Sequence, residues 1–255
     1  MRRTLALSLL AAVTVAACDR KAEQSPVSAP AAATDGGYLA SPVVTAARGQ
    51  AGGVGLEGRA ASGAQVRLAS PAGESLEARA DDKGVWRIDL PASNAPRIFG
   101  LSMNLGERRI QAQGYVLVDG AGRITLLRSG AGGLRLDLAG APRIATFDYD
   151  REGGAVASGL APAGATVAVR GDGALLGEAR TDPQGRFSVA ITQPLSPGRH
   201  RLLLVGKGFA RETDVEVSPA EPLLDGPFRS GRAGGALRAD WMTPGGGVQT
   251  TLILD

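Results

Sequence analysis

Polar and apolar residues alternate along much of this chain. Val66 and Leu68 flank Arg67; Trp86, Ile88 and Leu90 are separated by Arg87 and Asp89; Phe187, Val189 and Ile191 by Ser188 and Ala190. A period of two predicts strands with one face buried. Between these runs stand "ASGA", "APAGA", "DDKG" and "DPQG", clusters that break strands and start turns. In Asp-x-x-Gly the Asp side chain accepts backbone N–H groups and Gly supplies a positive φ at the exit. Beyond the first 17 residues few stretches carry a helical period. Short strands with frequent turns predict an all-β chain of antiparallel β-sandwiches.

The pattern repeats. "GRAASGAQVRLASPAGESLEARADDKGVWRIDL" from Gly58 aligns without a gap on "GLAPAGATVAVRGDGALLGEARTDPQGRFSVAI" from Gly159, a shift of 101 residues. Gly63 meets Gly164, Asp81 meets Asp182, Gly84 meets Gly185, and Trp86 meets Phe187. Upstream the same shift places Val43 on Ile144 and Thr45 on Thr146. Downstream, "RSGAGGLRLD" (128–137) resembles "RSGRAGGALRAD" (229–240). Two tandem units follow, residues 42–142 and 143–255, each of domain size. Segments 119–142 and 220–255 are expected to add strand pairs. "WMTPGGGVQTTLILD" reads as a C-terminal hairpin, which either caps the second unit or pairs at the junction of the two.

These motifs resemble the bacterial Ig-like domains of envelope and secreted proteins: a Pro-x-Gly-Ala-x-Val turn and strand, a short hairpin, then Asp-x-x-Gly-x-aromatic. The likeness is best over 143–219. The first copy, 42–118, departs from it with Ser62 before its Gly-Ala turn. The resemblance implies tandem Ig-like seven-strand sandwiches without a cysteine bridge, mostly spacers and binding modules, and little about chemistry.

The first 17 residues follow another logic. Met1-Arg2-Arg3 is basic, "TLALSLLAAVTVAA" is apolar, and small residues close it, the layout of a secretory signal helix. The apolar run is shorter than the ~20 residues of a membrane span. Val15-Ala16-Ala17-Cys18 resembles the lipobox of bacterial lipoproteins, which implies diacylglycerol on the Cys18 thiol and cleavage before it. The alternative is an ordinary secretion signal with Cys18 incidental. Cys18 is the only cysteine, so no disulfide within the chain supports the fold. Asp19 resembles the inner-membrane retention residue of some lineages. Cys18 and residues up to 41, rich in Ala, Ser, Pro and Gly, read as a flexible tether of ~25–30 Å mean span.

Charge excludes one class of partner. The chain has 28 Lys+Arg and 25 Asp+Glu. Removing residues 1–17 takes away Arg2 and Arg3 and leaves 26 against 25. No basic stripe marks a nucleic-acid binder.

Candidate chemistry is sparse, and no cofactor is implied. The single histidine, His200, lacks the context of a catalytic triad and reads as structural. Too few His and Cys exist for a zinc site. Asp148, Asp150 and Glu152 in "FDYDRE" suggest a calcium loop at the junction or a solvated acidic linker; the 101-residue shift puts Ala47, Gly49 and Ala51 opposite them. Arg170-Gly171-Asp172 matches an adhesive tripeptide but reads first as a hairpin tip. Trp86 and Phe187 are expected in the core. Trp241 and Tyr115 are the candidate partner-binding rings, and a wall- or glycan-binding protein requires them exposed.

The leading expectation is a non-enzymatic envelope lipoprotein, anchored to the inner or outer membrane through Cys18. Its folded part would stand in the periplasm rather than on the cell surface and engage another envelope protein. Peptidoglycan or glycan binding is the alternative, and a hydrolase using acids alone comes third.

Overall fold

A computed structural model describes residues 38–140 and 142–255. Residues 1–37, on which the expected signal segment, the expected lipidated Cys18 and most of the expected tether fall, lie outside them. Every regular element among the described residues is a β-strand, as the alternation predicts.

The first copy supplies nine strands: β1 (Val43–Gln50), β2 (Gly53–Arg59), β3 (Gln65–Ala69), β4 (Ser75–Arg79), β5 (Val85–Pro91), β6 (Arg97–Leu105), β7 (Arg108–Val118), β8 (Ile124–Leu127) and β9 (Leu134–Arg135). The second supplies β10 (Arg143–Asp150), β11 (Ala155–Leu160), β12 (Thr166–Gly171), β13 (Ala174–Arg180), β14 (Arg186–Ile191), β15 (Gly198–Gly206), β16 (Phe209–Val217), β17 (Phe228–Ala233), β18 (Ala236–Met242) and β19 (Val248–Ile253). Four antiparallel sheets result, in the orders β1-β2-β5, β4-β3-β6-β7-β8-β9, β14-β11-β10-β19-β18-β17 and β13-β12-β15-β16.

Each copy is a sandwich whose core follows the alternation. In the first, Leu56, Trp86, Ile88 and Leu90 pack on Val66, Leu68, Phe99, Leu101, Met103 and Val116. In the second, Phe147, Phe187 and Val189 pack on Val167, Val169, Leu202, Leu204 and Val215. Burying such side chains contributes about 1.5–3 kcal/mol each.

The turns repeat with the strands. Asp81 Oδ1 accepts the N–H groups of Lys83 and Val85, both at 2.8 Å. Asp182 Oδ1 accepts those of Gln184 at 2.9 Å and Arg186 at 2.8 Å. Gly84 and Gly185 close these turns at φ +74° and +77°.

Residues 39–255 form one compact unit, and the reason is a third apolar core. Ile98, Leu117 and Leu127 point out of the back of the second sheet, and Leu237, Ala239, Trp241 and Ile253 out of the back of the third. The two sandwiches stack on these faces. The C-terminal hairpin does both things left open by its sequence: β19 pairs with β10 and extends the third sheet, and β18 and β19 carry half of the interface core.

The repeat is not uniform. Gly58 and Gly159 match at 101 residues, yet they face Val44 and Ile144 respectively, a shift of 100. The β10–β11 turn is one residue longer than the β1–β2 turn, 151–153 against 51–52. Ala47 therefore corresponds to Phe147, Arg48 to Asp148, and Gly49 to Tyr149. This corrects the alignment drawn from sequence, which set Ala47 against Asp148.

Candidate interaction site

The junction between the sandwiches has a polar centre. Asp148 lies on the outer face of β10 and is 1% exposed. Its Oδ1 accepts the Thr251 hydroxyl at 2.5 Å and Gln249 Nε2 at 3.2 Å. Its Oδ2 accepts the Gly133 N–H at 2.7 Å, and the Thr146 hydroxyl donates to the Gly133 carbonyl at 3.0 Å. The loop 130–133 of the first copy is thus stitched to the third sheet. Burial raises the Asp148 pKa above the usual carboxylate value, and the bonds from Thr251, Gly133 and Gln249 only partly oppose it. The calcium reading of "FDYDRE" is not supported. Asp148 is enclosed by donors, Asp150 accepts the Gly154 N–H of its own turn at 2.8 Å, and Glu152 is exposed. Among the described residues no group of three His, Cys, Asp or Glu side chains is placed to hold a metal ion.

The two candidate rings meet each other. Trp241 is 0% exposed. Its indole N–H donates to Thr251 Oγ1 at 3.1 Å, and Tyr115 packs edge-on against it at 5.7 Å between centroids. Tyr115 is half-buried. The exposed tryptophan that the glycan reading required is therefore a core residue of the interface: Leu237, Ala239 and Trp241 alternate on a sheet face that a neighbouring sheet covers.

His200 is structural in a specific way. It is the third residue of β15, is 8% exposed, and sits between two acceptors. Nδ1 lies 2.9 Å from Asp172 Oδ2, and Nε2 2.7 Å from the Ser196 carbonyl. An imidazolium satisfies both. Burial alone would lower its pKa, but the Asp172 carboxylate and Ser196 carbonyl outweigh it and the value is raised. Arg170-Gly171-Asp172 is the tip of the β12–β13 hairpin, with Asp172 at φ 49° and its carboxylate engaged by His200.

Arg97 is the counterpart of His200 in the first copy. Val66 faces Met103 and Val167 faces Gly206, so this strand is offset by 103 residues and Arg97 matches His200. Arg97 donates to both Glu74 oxygens at 2.9 and 3.0 Å and to the Pro91 carbonyl at 2.5 Å. Each copy thus holds a basic side chain near the start of this strand that engages one hairpin carboxylate and one backbone carbonyl, a permanent cation in Arg97 and one that His200 carries when protonated. Sequence reading missed the pair because two further inserted residues break the alignment.

The first sheet ends differently from the third. In the third, β10 pairs with β11 on one side and β19 on the other. In the first, β1 pairs only with β2 among the described residues. Beside the start of β1 lies a cavity of about 250 Å³, lined by Val43, Val44, Leu101, Ala112, Tyr115 and Leu126 among others.

Residues 141–205 match the bacterial Ig domain family. No curated protein matches the sequence. Solved structures similar to the chain include the BSP domain of a biofilm associated protein, at 12% identity and a TM-score of 0.25, covering 71% of this chain. This chain spans 30% of that one. They also include the central fibronectin-III array of RIM-binding protein, at 13% identity and a TM-score of 0.26, covering 84% of this chain and 88% of that one.

Proposed function

We propose that the protein is a non-enzymatic envelope lipoprotein, anchored through Cys18, that presents two fused Ig-like sandwiches to another envelope protein. One observation carries this reading. The third core joins the sandwiches into one compact unit rather than two beads, a form suited to presenting a preorganised binding surface on a tether. The lipobox-like "VAAC" behind a signal segment supports the anchor, and the bacterial Ig match over 141–205 supports an envelope address. The buried acids support a non-catalytic role. Asp148 is consumed by the interface, and Asp240 accepts Arg229, Arg238 and Thr250 at 2.7–2.9 Å. Neither faces a partner carboxylate across a cleft, as acid-only glycoside hydrolysis requires.

Two measurements test it. Cells making the whole chain should incorporate labelled fatty acid, and Cys18→Ser should abolish the label. In-cell crosslinking of the lipidated protein should capture a discrete envelope protein. Absence of label rejects the anchor; absence of any specific adduct rejects the interaction module.

A further inference from the structure

The two copies carry the same edge strand in two states. In the second copy β10 is covered by β19: Phe147 faces Leu252, Asp148 faces Thr251, and Asp150 faces Gln249. Beyond β19 the Leu254 N–H donates to the Ala145 carbonyl at 2.9 Å. Leu252 and Leu254 point inward and join the second core. Both copies bulge at the same place, Val44/Ala46 and Ile144/Thr146, so the backbone that receives β19 is reproduced in β1. Yet no described strand lies along the edge of β1 opposite β2.

The side chains differ in the direction an incoming strand needs. Where β10 has Phe147 and Tyr149, β1 has Ala47 and Gly49. A Cβ built on Gly49 meets nothing within 4 Å. The Tyr149 hydroxyl closes its own edge by donating to the Ser218 carbonyl at 3.0 Å, and glycine has no such group. Val43 at the head of β1 is 48% exposed and borders the cavity of about 250 Å³ between β1 and the second sheet. Among the described residues the first sandwich therefore has an open strand edge and apolar space beside it.

We propose that β1 is a strand-addition site that accepts an extended segment of a partner polypeptide in the register β19 takes on β10. Open edges pair readily with added strands, the main chain giving affinity and alternate side chains giving selectivity. The register specifies the occupant. The residue facing Arg48 takes the place of Thr251. Arg48 is exposed and has no ion-pair partner among the described residues, so this residue is acidic. The next, facing Ala47, is apolar and enters the space that Phe147 fills in the other copy. The one after points away, and the fourth, alongside Thr45, is apolar and points to the cavity. The partner segment thus reads acid–apolar–any–apolar, antiparallel to β1. This site rests on the interaction-module reading above.

The test uses the soluble chain 19–255 and the peptide Gly247–Asp255 of its own sequence carrying Thr251→Glu. Binding is followed by amide hydrogen exchange. Saturable binding that protects amides of 46–50 is expected. Arg48→Glu should weaken it about threefold, the scale of one cross-strand charge pair, and a peptide carrying Thr251→Lys should restore it. Val43→Arg should weaken both peptides without altering the melting temperature of the chain. Absence of binding at millimolar peptide overturns the proposal, as does binding that leaves 46–50 unprotected. Protection, in the chain alone, of those amides of 46–50 that face away from β2 also overturns it: with a concentration-dependent dimer the occupant is a second copy, and without one it is the chain's own tether. If the peptide fails while in-cell crosslinking still captures a partner at another face, this site is wrong and the interaction-module reading stands. If both fail, both fall.

Discussion

The Thr251 hydroxyl donates to Asp148 Oδ1 at 2.5 Å, joining the last strand to the first strand of its copy inside the junction of the two sandwiches. The same carboxylate takes the Gly133 N–H from the other sandwich. Replacing Asp148 by Ala strands three donors in a dry interface, and each buried unpaired group costs about 1–3 kcal/mol. Asp148→Ala should lower stability by about 3 kcal/mol or more in urea unfolding. Asp148→Asn keeps one acceptor but turns an N–H₂ toward the Gly133 N–H or the Thr251 and Gln249 donors, so it should recover only part of the loss. Full recovery by Asn would show that Asp148 needs no more than shape.

Trp241 tests the fusion of the sandwiches. It is the largest side chain of the third core and is fully buried. Trp241→Ala should cost about 3–5 kcal/mol, the range for deleting a buried large aromatic. The cost falls on the junction and spares the two sandwich cores. Calorimetry should therefore show one transition in the wild type and two in the variant. A single transition in Trp241→Ala would mean that the hydrogen bonds around Asp148 suffice to couple the copies.

His200 and Arg97 make the same clamp with different titration. The folded pKa of His200 is raised, so the folded state holds its proton more tightly than the unfolded state does. Its stabilising contribution is complete below the unfolded value of about 6.5. It is lost as pH rises through the higher folded value. Thermal stability of the wild type should therefore fall between pH 6 and pH 8 more than that of His200→Gln, which has no charge to lose. Exchange at the Asp172 hairpin should speed up over the same range while the Glu74 hairpin, held by Arg97, stays protected. Equal pH profiles for wild type and His200→Gln would reject the clamp.

What the sequence made legible follows from what repeats without interruption. Asp81 and Asp182, Gly84 and Gly185, Trp86 and Phe187 align with no gap, and all keep their roles in the fold. The edge strand and the clamp strand do not, because one inserted residue in the β10–β11 turn and two before β15 displace them by a residue or two. In a strand a slip of one residue exchanges the two faces, and Ala47 was set against Asp148 for that reason. Trp241 failed on different grounds. Its strand alternates as a half-exposed strand does, and sequence cannot say that the far face is covered by another sheet. Thr146, Asp148, Gln249 and Thr251 carry the same ambiguity, since polar residues on a covered face look like polar residues in water.

Gly84 and Gly185 offer the cleanest measure of how far the copies remain equivalent. Both sit at positive φ, and a Cβ on either would run into the carbonyl oxygen of Ala60 or Ala161, the residue whose N–H donates back to the same glycine's carbonyl at 2.9 and 2.8 Å. Strain of this kind costs about 1–3 kcal/mol, and the clash adds to it. Gly84→Ala and Gly185→Ala should each destabilise the chain by at least that much. Gly63 and Gly164, also at positive φ but with only an arginine tip 3.8 Å from the added Cβ, should cost less when changed to Ala. The two members of each pair should cost about the same, because the added Cβ atoms meet matching neighbours at matching distances in the two copies. Unequal costs at Gly84 and Gly185 would show that one copy relaxes around the turn and the other does not.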